Sequence, residues 1–129
     1  MIGLVVATHA RLADELLAAA ELIIGPLEGA RAVAVLPEHG PDEIQERIRA
    51  AVEEVNRDKD GVVIMTDMFG GTPSNVSLSF LDPDHIEVVT GVNLPMVIKF
   101  FHSQESLSLK ELAGLLKGYG QQAITVASE

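Results

Sequence analysis

The chain has 129 residues, of which 47% are hydrophobic, so it can bury the core of one compact domain, and we expect a single domain over residues 1–129. Its 19 acidic and 9 basic residues give a formal net charge of −10, which argues against nucleic acid or an anionic membrane as a partner. Cysteine is absent, which excludes a disulfide framework and a thiolate metal site.

The first half of the chain alternates short apolar runs with amphipathic segments. Residues 2–6 form an unbroken, β-branched apolar run, which is typical of a buried parallel strand. Residues 12–24 have apolar side chains at helical spacing and end at a Gly-Pro pair, which predicts an amphipathic helix. Residues 30–36 predict a second strand, and Pro41 opens a second helix with acidic residues in its first turn.

The middle of the chain predicts a third strand, a short helix and a fourth strand. Residues 61–65 form another unbroken apolar run, and residues 86–90 are rich in β-branched side chains. Between these strands, Thr72 is followed by a proline, a pair typical of an N-cap and the first position of a helix. We expect this helix to run to about Leu81.

The carboxyl-terminal part predicts two helices and a last short strand. The helices are expected over residues 95–102 and 109–117, and Gly118 and Gly120 predict a turn after the second helix. Residues 123–126 form a short run that we expect to be an antiparallel edge strand. The sequence leaves open whether this strand pairs in its own sheet or is exchanged with a second subunit.

Strands that alternate with helices predict an α/β fold, with a single open sheet that is mainly parallel and flanked by helices. Ligands of such sheets collect outside the carboxyl ends of the strands. His9 follows the first predicted strand and Asp67 follows the third. We therefore expect both side chains at the edge of the sheet where ligands bind.

His9 and Asp67 are a combination suited to carrying a phosphoryl group. An imidazole is a nucleophile only through a nitrogen whose lone pair is free, and a carboxylate that accepts the proton of the other nitrogen fixes that tautomer. The carboxylate also stabilises the positive charge that the ring gains when it bonds to phosphorus. Asp67 is thus expected to hold the ring, and His9 to receive the group.

A glycine-containing segment directly after the third strand offers hydrogen-bond donors for phosphoryl oxygens. Residues 66–75 read Thr-Asp-Met-Phe-Gly-Gly-Thr-Pro-Ser-Asn. Gly70 and Gly71 allow the backbone to approach a ligand closely, while Thr72 supplies a hydroxyl and the start of the helix supplies N–H groups. Phe69 is interpreted either as a shield of the pocket against water or as part of a docking surface.

Three segments together resemble the signature segments of the mannose-type enzyme IIA domain of the bacterial phosphoenolpyruvate-dependent sugar phosphotransferase system. They are residues 5–9, residues 66–75 and residues 90–96, which occur in the family's order and spacing. The resemblance covers essentially the whole chain. The family commonly has serine in place of Thr72 and tryptophan in place of Phe69, and both differences keep the hydroxyl or the aromatic character.

The resemblance implies a phosphotransferase component that carries a phosphoryl group. Such a domain accepts the group from the phosphohistidine of the phosphocarrier HPr and passes it to a IIB protein, which we expect to be separate from this chain. By this resemblance His9 is the phosphorylated residue, Asp67 is its hydrogen-bonded partner, and Thr72 contacts the phosphoryl group.

Other residues near the same edge are expected to contact a partner or to form the pocket wall, namely Thr8, Phe69, Asn93 and Pro95. No cofactor or metal is expected, since transfer between carrier histidines demands alignment and charge neutralisation more than a metal clamp. The resemblance further implies a homodimer that exchanges its final strand. We expect a cytoplasmic protein, because the first residues lack the basic start and apolar core of a signal peptide.

Two other functions remain open from the sequence. One is the phosphorylated subunit that feeds a dihydroxyacetone kinase, a relative with the same fold and histidine. The other is a receiver-like signalling module phosphorylated on Asp67, although Thr8 and His9 stand where such a module has the acidic pair that holds its metal. A zinc site is not favoured, because no ligand pair has recognisable spacing. No part in the site is assigned to the other histidines, His39, His85 and His102.

Overall fold

Four strands and five helices alternate along the chain in a computed structural model that describes residues 1–129. The strands are β1 (Gly3–His9), β2 (Ala30–Val35), β3 (Val62–Thr66) and β4 (Ile86–Thr90). The helices are α1 (Leu12–Ile24), α2 (Pro41–Val55), α3 (Thr72–Leu78), α4 (Leu94–Ser103) and α5 (Leu109–Gln122). The predicted α/β architecture with an open sheet is confirmed, and all four strands are parallel.

The strand order β2-β1-β3-β4 creates a crevice between β1 and β3. The chain leaves β1 toward β2 on one side of the sheet and β3 toward β4 on the other. Because parallel crossovers are right-handed, connections that run in opposite directions must use opposite faces of the sheet. Helices α1 and α3 therefore begin on opposite sides of the crevice at the carboxyl ends of β1 and β3, where open α/β sheets bind ligands.

Each face of the sheet carries its own hydrophobic core. Side chains alternate along β1, so Leu4 and Val6 face one layer of helices while Val5 and Ala7 face the other. Helices α1, α4 and α5 cover the first face, and α2 and α3 cover the second. This two-sided burial explains why the two central strands, β1 and β3, are largely unbroken apolar runs. None of the five helices combines the length and apolar character that crossing a bilayer requires.

The start and end of α3 differ from the prediction. Gly71, and not Thr72, is the N-cap, and Thr72 is the first helical residue with no side-chain capping hydrogen bond. The helix ends at Leu78 instead of about Leu81. The backbone of Gly71 is extended, so the helix begins at Thr72 and the proline is its second residue. A missing N–H costs nothing there, because the first N–H groups of a helix have no intrahelical acceptor.

The carboxyl-terminal segment also differs from the prediction. Helix α5 continues to Gln122, so Gly118 and Gly120 lie inside it and form no turn. Its amino end has the capping box of Ser108 and Glu111. Gly120 is buried against Met96, and its carbonyl accepts a hydrogen bond from the Asn93 side chain at 2.9 Å. These contacts with α4 hold the last turn of the helix in place.

The predicted antiparallel edge strand over residues 123–126 is wrong for the single chain. This segment is irregular, and Ile124 and Val126 are 75% and 56% exposed. The residues expected to turn the chain back toward the sheet belong to α5, so the segment leaves the helix directly into solvent. The outer edge of β4 is consequently unpaired.

Two glycine substitutions distinguish a helix from a turn at the end of α5. A Cβ added to Gly118 meets no atom within 4 Å, so Gly118→Ala should raise the free energy of unfolding by about 0.5–1 kcal/mol. A Cβ added to Gly120 would lie 2.7 Å from Met96 Cε, so Gly120→Ala should lower it by about 1 kcal/mol. Urea denaturation measures both, and a lower free energy of unfolding for Gly118→Ala would contradict the helical assignment, while Gly120→Ala tests the packing against Met96.

Candidate functional site

The structure brings His9 and Asp67 into direct contact at the crevice between β1 and β3. His9 is the last residue of β1, and Asp67 directly follows β3. Nδ1 of His9 lies 2.8 Å from Oδ2 of Asp67, and the backbone N–H of His9 donates to the same oxygen at 3.1 Å. The backbone N–H of Met68 donates to Oδ1 at 3.1 Å. Three donors thus hold a carboxylate side chain that is only 14% exposed.

This contact decides which nitrogen of His9 is free. An ionised carboxylate only accepts hydrogen bonds, so Nδ1 of the neutral ring carries the proton and Nε2 presents a lone pair. The ring itself is 50% exposed, so Nε2 is accessible to a partner. The arrangement gives the imidazole one fixed tautomer and one fixed orientation, as a nucleophilic histidine requires.

Gly71 makes room for the imidazole ring. A Cβ built on Gly71 would lie 2.5 Å from Cε1 of His9 and 3.1 Å from Nε2, so any side chain there would displace the ring. Gly70 has a φ of +94°, a left-handed conformation that glycine adopts without steric cost. The two glycines therefore serve different purposes, since Gly70 turns the backbone and Gly71 lets the backbone lie against His9.

A cavity of about 400 Å³ opens beside the imidazole. Thr72 at the start of α3 lines this cavity together with His9, so the two residues border the same space. The remaining wall comes from the residue after β1, the end of β2, the loop that follows β2 and the first turn of α2; it consists of Ala10, Val35, Leu36, Pro37, His39 and Ile44. Sequence analysis assigned His39 no part in the site, but the structure places it in the wall of the same cavity as His9.

The turn after His9 is constrained on both sides. Ala10 has a φ of +51°, a conformation that costs a non-glycine residue about 1 kcal/mol, and its N–H donates to the Val35 carbonyl at 2.9 Å. Thr8, the residue before His9, has a structural role. It is fully buried, and its hydroxyl accepts the N–H of Ala13 at 2.8 Å. Thr8 therefore anchors the first turn of α1 and cannot contact a partner, which corrects the prediction made for it. No sequence signal marks Ala10.

The other predicted contact residues lie in two different places. Phe69 is 73% exposed in the loop after β3, and its neighbour Met68 is 55% exposed, so both form surface next to the site. Asn93 instead caps α4, accepting the N–H of Met96 at 3.0 Å, and donates to α5. Neither Asn93 nor Pro95, the second residue of α4, lines the cavity beside His9.

A second histidine–aspartate pair shows what distinguishes His9. Nδ1 of His85 lies 2.9 Å from Oδ2 of Asp82 in the turn before β4, but this ring is 69% exposed and lines none of the larger cavities. His85 and Asp82 therefore form the same hydrogen bond as His9 and Asp67, but without a larger cavity beside the ring. No group of three or more acidic or histidine side chains converges as a metal site would.

The fold and the site define an α/β domain with one carboxylate-oriented histidine at the sheet crevice. The family model described as "PTS system fructose IIA component" matches residues 3–116. The chain belongs to this family of phosphotransferase system IIA components.

Individual relatives agree with this assignment. The chain is 31% identical to the "PTS system fructose-specific EIIA component" of Bacillus subtilis (strain 168), and the alignment covers 100% of this chain and 88% of that protein. It is 30% identical to the "PTS system mannose-specific EIIAB component" of Escherichia coli (strain K12), covering 95% of this chain but only 38% of that protein.

Solved structures show the same fold. The mannose/sorbose specific IIA subunit from Enterococcus faecalis superposes with a TM-score of 0.85 at 32% identity, covering 96% of this chain and 92% of that one. The phosphotransferase system component EIIA from Streptococcus agalactiae has a TM-score of 0.89 at 23% identity, covering 99% and 98%.

Replacing Gly71 should move the imidazole without unfolding the protein. In Gly71→Ala the new Cβ would overlap Cε1 of His9, so the ring must leave its contact with Asp67. We expect the His9 ring resonances in long-range ¹H–¹⁵N spectra to lose the pattern of a single Nδ1-protonated tautomer. Gly114→Ala is the control, because a Cβ there meets nothing within 4 Å. Unchanged His9 resonances in Gly71→Ala would contradict the described packing.

Proposed function

We propose that this chain is a phosphoryl carrier of the sugar phosphotransferase system. His9 accepts a phosphoryl group from the phosphohistidine of HPr and passes it to a IIB partner, in the cytoplasm. The observation that carries this proposal is the 2.8 Å contact of His9 Nδ1 with Asp67, which leaves Nε2 free beside the cavity lined by Thr72. Membership of the IIA family supports it.

The transfer is a displacement at phosphorus between two imidazoles. The lone pair of His9 Nε2 forms the new N–P bond, while the N–P bond to the donor histidine breaks and its electron pair stays on the donor nitrogen. The proton on His9 Nδ1 remains in place throughout, held by Asp67. The carboxylate stabilises the positive charge that the ring acquires, and no metal is needed to balance the step.

The segment before α3 supplies the proposed contacts to the phosphoryl oxygens. Thr72 lines the cavity of His9 and carries a hydroxyl, and the first N–H groups of a helix have no intrahelical acceptor. Gly71 holds its backbone against the ring, and Gly70 turns the chain so that this can happen. These neighbours would neutralise part of the negative charge brought by the group.

The surface around His9 suits docking of a phosphocarrier. Phe69 and Met68 are exposed in the loop after β3, and Leu12 at the start of α1 is 46% exposed. We propose that Phe69 belongs to this docking surface and, once a partner is bound, keeps water from the N–P bond. The net charge of −10 favours a partner with a basic face.

Of the other functions considered from sequence, the receiver-like module fits worst. It would use Asp67 as the phosphoryl acceptor, yet that carboxylate is occupied by three donors and is 14% exposed. A subunit that feeds a dihydroxyacetone kinase would use the same histidine in the same way. An assay that offers the phosphorylated chain either a IIB protein or a dihydroxyacetone kinase as the acceptor separates the two functions.

Phosphorylation by HPr tests the proposed carrier directly. Incubation with phosphoenolpyruvate, enzyme I and HPr should give acid-labile label on the protein, and His9→Ala should abolish it. Asp67→Asn should slow labelling by roughly 10²-fold, because the charge that stabilises the phosphorylated ring is lost. His85→Ala is the matched control, since it removes the other aspartate-paired histidine and should label normally. Label that persists in His9→Ala would refute the assignment.

We also propose that the chain forms a homodimer through its carboxyl-terminal segment. β4 lies at the edge of the sheet, and a groove of about 540 Å³ runs along it, lined by residues of β4 and α5. Ile124 and Val126 are exposed apolar side chains at alternating positions, as a strand added to this edge would have. Lys110 and Lys117 line the groove and would attract the acidic end of a second copy.

Sedimentation measures whether the segment holds two copies together. The unmodified chain should sediment as a dimer, and Ile124→Asp with Val126→Asp should shift it to a monomer, because both side chains would be buried in the dimer. Ser128→Asp is the control and should leave the dimer intact. A monomeric unmodified chain, or a dimer unaffected by the double substitution, would exclude this mode of association.

A further inference from the structure

The cavity beside His9 contains a second imidazole that is held rigidly. His39 lies in the loop between β2 and α2 and lines this cavity. Its backbone N–H donates to the Leu36 carbonyl at 3.0 Å, and the N–H of Leu36 donates to His39 Nδ1 at 3.1 Å. This reciprocal pair of hydrogen bonds closes the loop and fixes the ring relative to the cavity.

The same hydrogen bonds determine where the proton of His39 lies. An N–H group only donates, so Nδ1 must present its lone pair to Leu36, and the neutral ring carries its proton on Nε2. Nη1 of Arg47 lies 3.1 Å from that Nε2. A guanidinium has donors only, so two donors meet with no acceptor between them. An anion that accepts from both would replace this contact with two favourable hydrogen bonds.

Arg47 is also a cation without an acidic partner. Arg31 and Arg49 each form an ion pair with a glutamate, at 2.8 and 3.6 Å, whereas Arg47 forms none. Six other basic side chains also lack an ion pair, so what distinguishes Arg47 is its contact with His39, which lines the cavity of His9. Arginine is the side chain best suited to binding phosphate oxygens, because its donors form a fixed planar fork.

We propose that His39 and Arg47 form a phosphoryl-binding pair in this site. Nε2–H of His39 and the guanidinium of Arg47 donate to oxygens of the phosphoryl group that His9 receives. The identity of this anion rests on the proposed carrier function. Arg47 supplies positive charge from α2 and His39 supplies a hydrogen-bond donor from the loop before it, whereas Thr72 contributes from α3.

Inorganic phosphate is a probe that needs no partner protein. Titration of the unmodified chain should shift the ring resonances of His39 in long-range ¹H–¹⁵N spectra. Arg47→Gln should weaken phosphate binding by about tenfold, the usual effect of losing a hydrogen bond to a charged group. Arg49→Gln, on the same helix, should bind as the unmodified chain does. His39 resonances that do not respond, or equal binding by Arg47→Gln, would overturn the proposal.

Two substitutions of His39 separate its donor from its role in the loop. His39→Asn keeps an acceptor near the position of Nδ1 but removes the Nε2 donor, whereas His39→Gln keeps a donor near Nε2. We expect His39→Asn to slow phosphoryl transfer from HPr by about tenfold and His39→Gln to restore part of the rate. Equal rates for both variants and the unmodified chain would overturn the proposal.

The two proposals fail in different ways. If phospho-HPr does not label the unmodified chain, the carrier function is refuted, while the phosphate titration still decides whether His39 and Arg47 bind an anion. If labelling of His9 is normal and the titration shows no response at His39, the pair is refuted and the carrier function is retained.

Discussion

The hydrogen bond between Asp67 and His9 Nδ1 is the interaction on which the rest of the site depends. It fixes the tautomer, orients the ring and leaves Nε2 free. The positions of both residues follow from the sheet, because each one lies at the end of a central strand. His9 ends β1, and the carboxylate after β3 also accepts two backbone N–H groups. The chemistry of the site is thus a direct result of pairing β1 with β3.

Around this contact the structure leaves little freedom for the ring. Gly71 removes the only side chain that would compete for its space, and Ala10 adopts a left-handed conformation immediately after it. Thr8, the residue before His9, is buried and accepts the N–H of Ala13 in the first turn of α1. Pre-organisation of this kind lowers the entropy that must be lost when a partner aligns for transfer.

Much of the fold and the centre of the site could be predicted from sequence because both depend on strong local patterns. Unbroken apolar runs indicate strands buried on both faces, and the carboxyl ends of such strands lie at one edge. The end of α5 could not be predicted, because Gly118 and Gly120 normally interrupt helices. Gly120 is held in the helix by contacts with Met96 and Asn93 of α4 and its N-cap, and Gly118 lies in the turn before it. His39 was missed for a similar reason, since the loop that brings it to the cavity has no local signal.

The two residues of the central contact are separated by 58 positions in the chain. In an unfolded or half-folded molecule His9 is an ordinary solvated imidazole, with no carboxylate to keep the proton on Nδ1 and no neighbour to balance charge. Reactivity therefore begins only when the middle of the sheet is assembled. Under the proposed carrier function, a nascent or damaged chain would neither accept phosphoryl groups nor pass them to a wrong recipient.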